Sequence, residues 1–157
     1  MASDYVMRWM IARDMPQIVG IERSLGSVPA WEETALRDLL RESNVIGMMV
    51  EHRLTETVAG YVIYEMLPKR LEVIRLVVVP GHRRRNVATL MLDRLITKLS
   101  GNRRPYLRLD VPEECLDVQL WLRSRGVRCV RLVHDISGEV LAYRFRYRLP
   151  SPMTVEE

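Results

Sequence analysis

The segment Leu71–Leu99 restricts the possible folds of this 157-residue chain more than any other stretch. Leu71–Val79 is rich in β-branched residues and predicts a buried strand. Pro80 and Gly81 then stop the strand, because proline cannot donate to a sheet and glycine favours a turn. The apolar spacing that follows predicts an amphipathic helix over residues 83–99. The segment is therefore expected to be a strand, a tight turn and a helix whose first turn is basic.

The start of that helix carries three consecutive arginines, Arg83–Arg85. The first N–H groups of a helix have no partner within it, and the helix dipole places partial positive charge there. Cations at this end are unfavourable by about 0.3–1 kcal/mol each, so three of them need an explanation. One explanation is a bound phosphate or other anion. The other is a solvated basic helix start, and the residues alone leave both open, because the segment is neither a P-loop nor a GxGxxG motif.

Composition limits the class of protein. A hydrophobic content of 48% over this length predicts one globular domain. The chain has 24 Lys and Arg against 20 Asp and Glu, a balance that suits an acidic or phosphorylated partner without requiring one. Cys115 and Cys129 form no CxxC motif and the three histidines are scattered, so no metal site is expected. No apolar run approaches the roughly 20 residues of a membrane span, and we expect a soluble, cytoplasmic protein with free thiols.

Periodicity and turn residues predict the element order β-α-α-β-β-β-α-β-α-β-β. This predicts one mixed α/β domain over residues 1–149, with a disordered tail over 150–157. In the last helix, Leu116, Leu120 and Trp121 are expected to face inward. Strands are expected at Tyr5–Ile11, Asn44–Glu51, Val58–Leu67, Leu71–Val79, Tyr106–Val111, Val127–His134 and Leu141–Leu149, and helices at Met15–Leu25, Glu32–Arg41, residues 83–99 and Glu113–Arg125.

In the centre of this order, a strand is followed by the turn that contains Arg83–Arg85, which we call the arginine turn, and by a helix. The whole order resembles the GNAT acetyltransferases over about Tyr5–Leu149. The family's pyrophosphate motif, Arg/Gln-x-x-Gly-x-Gly/Ala, corresponds to residues 83–88, RRRNVA, and Leu76–Pro80 matches its usual strand end. The runs PAWEETALRDLLRESNVIGMMVEH and GYVIYE are similar to bacterial ribosomal-protein-alanine N-acetyltransferases, the RimI-like group. The resemblance implies about four helices and a central, mostly antiparallel sheet of about seven strands, splayed at the acetyl-CoA site.

The resemblance also implies acetyl-CoA as the co-substrate. Its pantetheine arm would pair with the backbone of the central strand, and its pyrophosphate would lie on the N–H groups of the arginine turn and the first helical turn. This assignment would explain the three arginines. The residues that it gives to the cofactor are Leu76, Val77, Val78, Arg83, Arg84, Arg85, Asn86, Val87, Ala88, Thr89 and Cys115.

Acyl transfer to an amine requires a base that removes a proton from the amine. Glu72 lies four residues before Leu76, on the same face of the strand, where many GNAT enzymes carry a glutamate base. Asp110 corresponds to the glutamate of the RimI-like LEVRxSN segment. Each of the two carboxylates is a candidate, acting directly or through water. The alternative for each is a solvated strand residue or a partner for a nearby arginine.

Three positions depart from the family pattern. Asn86 replaces the first glycine, Cys115 replaces an asparagine that contacts the cofactor, and Leu122 replaces the tyrosine general acid. Three functions therefore stay open: an N-acetyltransferase for a primary amine, such as that of a protein N-terminus or ribosomal protein; a degenerate GNAT domain that senses acetyl-CoA or binds a partner; and a nucleic-acid-binding protein. The third, which no recognition motif supports, would use the arginine turn with Arg144, Arg146 and Arg148. We expect no membrane partner, and either a monomer or a homodimer.

Overall fold

The computed structural model describes residues 4–26, 31–101 and 103–150. Its order of elements is the one that the sequence predicts, with short 3-10 turns at Ala12–Asp14 and Pro80–His82. The strands are β1 (Tyr5–Trp9), β2 (Val45–His52), β3 (Val58–Met66), β4 (Arg70–Val78), β5 (Tyr106–Pro112), β6 (Arg128–His134) and β7 (Val140–Arg148). The helices are α1 (Met15–Ser24), α2 (Glu33–Arg41), α3 (Val87–Gly101) and α4 (Leu116–Ser124).

The seven strands are ordered β1-β2-β3-β4-β5-β7-β6 in the sheet. The pairs β1/β2, β2/β3, β5/β7 and β6/β7 are antiparallel, whereas β4 and β5 are parallel. The register of β4 with β5 covers only Arg70–Val73, although β4 continues to Val78. The prediction of a mixed α/β fold with a mostly antiparallel sheet is confirmed.

The chain forms two compact units that share β4 and α3. Unit 1 comprises Met1–Met66 and Ile74–Asp93, and unit 2 comprises Leu67–Val73 and Arg94–Glu157. None of the helices in the described ranges is both long and apolar enough to cross a membrane.

Unit 1 packs α1 and α2 against its strands. The apolar stripe of α1 buries Met15, Ile18 and Val19 in a core shared with residues of β2 and β3. Pro16 lies in the first turn of α1, where its missing N–H group is not needed. Gly60 of β3 lies so close to β4 that an added Cβ would be 2.4 Å from the Val77 carbonyl oxygen. Any side chain at position 60 would therefore push these backbones apart.

Unit 2 shows the alternation that the sequence predicts for a half-buried sheet. On β5, Leu107, Leu109 and Val111 are buried, whereas Asp110 is exposed. Phe145 of β7 and Leu122 of α4 are also buried. Strand β6 lies at the edge of the sheet and is largely exposed.

Two helix predictions were wrong at their N-terminal ends. α3 begins at Val87, not at Arg83, because the arginine turn adopts backbone angles that a helix does not allow. α4 begins at Leu116, so Glu113 and Glu114 lie in a turn ahead of the helix. Leu116 and Leu120 are 60% and 55% exposed, which contradicts their predicted inward positions; Leu122 is the side chain that α4 buries.

The remaining element bounds differ from the predictions by one or two residues. This is the usual uncertainty at the ends of helices and strands. Except for Pro150, the tail predicted over residues 150–157 lies outside the described residues.

Candidate functional site

The turn between β4 and α3 has an unusual backbone. Arg84 and Asn86 have φ angles of 63° and 64°, in the left-handed region that favours glycine. Asparagine tolerates this region better than most residues, so Asn86 adopts the conformation that glycine would supply at the same motif position. Backbone N–H groups in turns of this kind converge to form concavities that bind anions.

The first turn of α3 follows this loop directly. The Leu90 N–H donates to the Asn86 carbonyl at 2.9 Å, which is the first helical hydrogen bond. Val87 and Ala88 therefore belong to the first turn, where the geometry of an α-helix leaves N–H groups without an intrahelical partner. The side chains of Arg83–Arg85 are exposed. Guanidinium charge, the helix dipole and the loop N–H groups thus coincide in unit 1, as a diphosphate ligand requires.

The second half of β4 is the strand to which the resemblance assigns the pantetheine. Val77 is buried, whereas Leu76 and Val78 are half-buried. β3 holds this half of β4 through the close approach of Gly60 and a hydrogen bond from the Val79 N–H to the Ala59 carbonyl at 2.8 Å. The predicted cofactor residues Leu76–Val78 and Arg83–Thr89 all belong to unit 1.

Two histidines and a tyrosine lie beside the start of the loop. The Tyr5 hydroxyl is 3.1 Å from Nδ1 of His82, and the His52 ring contacts both of these rings. Burial lowers the pKa of His82, and the positive charge of Arg85 and then that of His52 lower it further. The sequence showed these histidines only as scattered positions, because the pairing of β1 with β2 places Tyr5 opposite His52, whereas His82 comes from the short turn after β4.

Glu72, one of the two candidate bases, belongs to unit 2. Its Oε2 atom accepts hydrogen bonds from Nε of Arg108 at 2.6 Å and from Nε of Arg70 at 3.2 Å. The side chain is 20% exposed. Both of these hydrogen bonds are to Oε2, and Oε1 accepts none from the described residues.

Asp110, the other candidate, also belongs to unit 2 and is bound by a single arginine. Nε of Arg144 donates to Oδ1 at 2.9 Å and Nη2 donates to Oδ2 at 3.1 Å, so both carboxylate oxygens are occupied. Hydrogen bonding to Asp110, together with the charges of Asp110 and Glu72, raises the pKa of Arg144. The predicted alternative, in which each carboxylate is the partner of an arginine, describes the geometry of both Glu72 and Asp110.

Cys115 and Leu122 occupy the other divergent positions, and both belong to unit 2. Cys115 is a half-buried cysteine outside any disulfide, immediately before α4, and its N–H donates to the Pro112 carbonyl at 3.0 Å. Leu122 is fully buried. Leu122 is therefore part of the hydrophobic core of unit 2.

A buried ionic network in unit 1 was not predicted. Glu22 of α1 is 2% exposed, and it accepts a hydrogen bond from the Tyr61 hydroxyl. Nε and Nη2 of Arg75 on β4 each donate to one Glu22 oxygen at 2.9 Å. Burial raises the pKa of the Tyr61 phenol well above its usual range, and the bond to Glu22 raises it further. The Tyr61 phenol therefore stays protonated and donates a hydrogen bond to Glu22.

The sequence did contain a signal for this network. Glu22 continues the apolar stripe of Ile18 and Val19 at helical spacing, and Arg75 is the one charged residue in VIRLVVV. An acid on the core face of a helix and a base within an apolar strand are expected to pair, because neither ion is stable when buried alone.

The strand order of the sheet, with its parallel β4/β5 pair, agrees with the fold of an acetyltransferase domain. The chain belongs to the acetyltransferase (GNAT) family, whose profile matches residues 7–114. Among curated proteins, none matches the chain.

Solved structures with the same fold have low sequence identity to this chain. The ribosomal-protein-S18-alanine N-acetyltransferase from Escherichia coli is 14% identical, with a TM-score of 0.80 over 98% of this chain and 99% of its own. NAA60 from Arabidopsis thaliana, in complex with a bisubstrate analogue, is 16% identical, with a TM-score of 0.78 over 92% and 97%. A single-residue mutant of the spermidine N-acetyltransferase SpeG from Vibrio cholerae is 13% identical, with a TM-score of 0.77 over 93% and 94%. These likenesses confirm the predicted fold.

Proposed function

We propose that this protein transfers an acetyl group from acetyl-CoA directly to a primary amine, and that the amine is the N-terminus of a protein. Membership of the GNAT family supports acetyl transfer. Similar folds include a ribosomal-protein-alanine N-acetyltransferase and NAA60, which has been solved with acetyl-CoA and with a bisubstrate analogue. The name of the first supports a RimI-like role acting on a protein.

The observation that carries the proposal is the backbone of the loop before α3. Two residues with positive φ, Arg84 and Asn86, precede the N–H groups of Val87 and Ala88, for which the geometry of a helix provides no intrahelical partner. We assign the pyrophosphate to Arg83–Thr89. The pantetheine is assigned to the backbone of Leu76–Val78, and Cys115 is retained as a candidate cofactor contact. Acetyl-CoA supplies an activated thioester, and these residues bind and orient it.

Of the two carboxylates, we propose Glu72 as the base. Both oxygens of Asp110 accept a hydrogen bond from Arg144, whereas Oε1 of Glu72 accepts no hydrogen bond from the described residues. The Glu72 carboxylate is therefore available to accept a proton from the amine, directly or through a water molecule. Glu72→Gln is expected to lower kcat/KM by about 10²–10⁴-fold. Asp110→Asn is the matched variant. An equal loss of kcat/KM in the two variants would contradict the choice of Glu72 over Asp110 as the base.

The chain has no tyrosine at the position of the family's general acid, and Leu122 is in the core. The Tyr61 hydroxyl is engaged with Glu22. We therefore propose that the CoA thiolate leaves without a tyrosine proton donor, because a thiolate is a good leaving group. Positioning of amine and thioester then supplies much of the rate enhancement.

Calorimetric titration of acetyl-CoA into the protein tests the cofactor site, with desulfo-CoA and ADP as comparison ligands. Reversing the charges with Arg84→Glu and Arg85→Glu is expected to weaken the affinity for acetyl-CoA by about tenfold or more. Arg94→Glu is the control, because this exposed arginine lies farther along α3. Equal loss in the control would contradict the assigned site.

Release of CoA in the presence of peptide, lysine and polyamine acceptors tests the reaction. Transfer to a peptide N-terminus is the expected result. Binding of acetyl-CoA without release of CoA for any acceptor would overturn the proposed reaction and favour the degenerate sensor domain.

A further inference from the structure

One face of the sheet in unit 2 is covered with arginines. Residues directly opposite each other on neighbouring strands point to the same side of a sheet. The registers of β4, β5, β7 and β6 align three rows of such residues. The first row is Arg70, Tyr106 and Arg148; the second is Glu72, Arg108, Arg146 and Arg128; the third is Asp110, Arg144 and Arg131. We call the seven arginines of these rows the arginine face.

The charge on this face is unbalanced. Seven arginines accompany two carboxylates, which leaves five net positive charges where the whole chain has a net charge of +4. Three of the arginines contact Glu72 or Asp110. Among the described residues, no carboxylate lies within ion-pair distance of the other four, which are Arg128, Arg131, Arg146 and Arg148.

Such an arrangement weakens the isolated fold. Arg146 is directly opposite both Arg108 and Arg128, and Arg144 is opposite Arg131. Like charges in opposite positions of neighbouring strands repel each other and destabilise the sheet. An anionic partner would remove this repulsion and form charge-assisted hydrogen bonds with the same guanidinium groups.

The contacts on this face favour carboxylates over nucleic acid as the partner. Arg144 binds Asp110 with two parallel hydrogen bonds, so the face already holds a carboxylate in the geometry that arginine favours. Proteins that bind single-stranded nucleic acid stack bases on exposed aromatic rings. Tyr106, the one aromatic side chain in the three rows, is half-buried, and the Arg146 guanidinium carbon lies 5.6 Å from its ring centre.

We propose that the arginine face binds an acidic polypeptide segment of the protein that supplies the acceptor amine. The identification of this segment as part of the acceptor rests on the proposed function. Glu72 and Asp110 lie in the same rows as the arginines. Whichever carboxylate takes the proton, the amine must reach this face, and the chain that carries the amine must then lie along the arginines.

The spacing on β7 fits an extended acidic peptide. Arg144, Arg146 and Arg148 are alternate residues of one strand and are therefore about 6.8 Å apart. Carboxylates at alternate positions of an extended peptide have the same repeat. A peptide with Asp or Glu at every second position would thus present carboxylates to Arg146 and Arg148, while Arg144 keeps Asp110 as its partner.

Fluorescence anisotropy tests the docking step without requiring turnover. The probe is a labelled peptide with alternating Asp residues and an acetylated N-terminus, and the comparison peptide has Asn in place of Asp. We expect the Asp peptide to bind and the Asn peptide not to bind. Affinity should fall as salt is raised from about 50 to about 200 mM, because these ion pairs are exposed. Equal binding of both peptides would overturn the proposal.

The double variant Arg131→Gln/Arg146→Gln should weaken binding of the Asp peptide by about tenfold or more. The control is Arg94→Gln/Arg123→Gln, which removes the same charge from two exposed helical positions. Equal losses in both variants would show a non-specific charge effect and contradict the proposal. Stronger binding of an RNA duplex of about 20 base pairs, lost in the first variant alone, would identify the face as a nucleic-acid site instead.

Acetyl transfer to free-N-terminal forms of the two peptides separates this inference from the proposed function. We expect a lower KM for the Asp peptide, with similar kcat, and a KM advantage that Arg131→Gln/Arg146→Gln removes. Binding of the Asp peptide without transfer to either peptide would contradict the proposed reaction while the docking surface stands. Transfer to both with equal KM would overturn the docking inference and leave the reaction intact.

Discussion

The two units of the molecule use arginine in opposite ways. In unit 1, Arg75 forms a two-bond pair with buried Glu22, and Arg8 bridges buried Asp14 and Glu51 at 2.7–2.8 Å. Each of these two arginines forms two hydrogen bonds with one carboxylate, Asp14 for Arg8 and Glu22 for Arg75. In unit 2, the arginine face has seven cations for two carboxylates, and three of its members, Arg128, Arg131 and Arg148, are exposed.

In unit 1 the charged pairs stabilise the fold, whereas in unit 2 the surplus charge is suited to binding a partner. A buried pair of opposite ions stabilises the fold only while both members are present, since a lone buried ion is strongly unfavourable. A surplus of exposed cations adds little to the free energy of unfolding or lowers it, and these cations become favourable when an anionic partner binds them. The arginine turn before α3 is the exception in unit 1, because it is exposed and is the assigned diphosphate site.

The largest expected effect comes from breaking the buried pair. Glu22→Gln should lower the free energy of unfolding by about 1.5–3 kcal/mol, because the buried Glu22 carboxylate loses charge-assisted hydrogen bonds to Arg75, whose side chain is 36% exposed. Equilibrium urea denaturation measures this change. Glu33→Gln is the control, since Glu33 pairs with Arg37 on the surface of α2, and its loss should cost about 0.3–0.5 kcal/mol. Similar losses in the two variants would erase the contrast between buried and exposed pairs.

The arginine turn tests whether function imposes backbone strain in unit 1. Arg84→Gly should raise the free energy of unfolding by about 0.5–1 kcal/mol, because φ is 63° at this position and glycine removes the steric penalty. Asn86→Gly should change it less, since asparagine already tolerates its φ of 64°. Thermal and urea denaturation of both variants provide the measurement. Destabilisation by Arg84→Gly would mean that the left-handed conformation carries no strain.

His82 makes the stability of unit 1 depend on pH. Its pKa in the fold is below 6.5, so the unfolded chain binds more protons as the pH falls below about 6.5. The contribution of neutral His82 is therefore present above about pH 6.5 and is lost on acidification, with a slope of at most about 1.4 kcal/mol per pH unit. His82→Asn should flatten urea-derived stability between about pH 7 and pH 5. His134→Asn, at an exposed position in unit 2, is the control variant, and an equal slope in the two variants would contradict the role of His82.

The smallest expected effect tests the surplus charge of unit 2. Arg131→Gln should raise the free energy of unfolding by about 0.2–0.5 kcal/mol in low salt, because it removes repulsion with Arg144. The gain should disappear at about 1 M salt, where the Debye length is about 3 Å. A loss of stability in low salt would show that Arg131 supports the fold, which would remove one argument for a partner.

The fold was predictable from the sequence because its periodic signals are strong. The alternation Leu107, Leu109, Val111 identified β5, and the β-branched run ending at Val79 identified β4. The start of α3 was missed because arginine is a good helix former, so RRR reads as part of a helix. Only the three-dimensional structure shows the positive φ at Arg84 and Asn86.

The candidate site was predictable in part. The arginine turn and the two carboxylates were found from residue type and from the resemblance, and their roles stay proposals. The arginine partners of Glu72 and Asp110 depend on strand register, which a single sequence does not specify. The prediction that Leu120 faces inward was wrong. The apolar residues of α4 lie on two different stripes of the helix, and the structure buries the stripe that contains Leu122.

The interleaving of the two units has a consequence for synthesis of the chain. Unit 1 is interrupted by Leu67–Val73 and is not complete until Asp93 has been made. The strand segment Arg70–Val73 pairs with Tyr106–Leu109, which is translated about 36 residues later. At about 5–20 residues per second, this segment waits about 2–7 s for its partner strand. During that interval the nascent chain exposes an unpaired strand edge, so co-translational capture by a chaperone would protect it most at this stage.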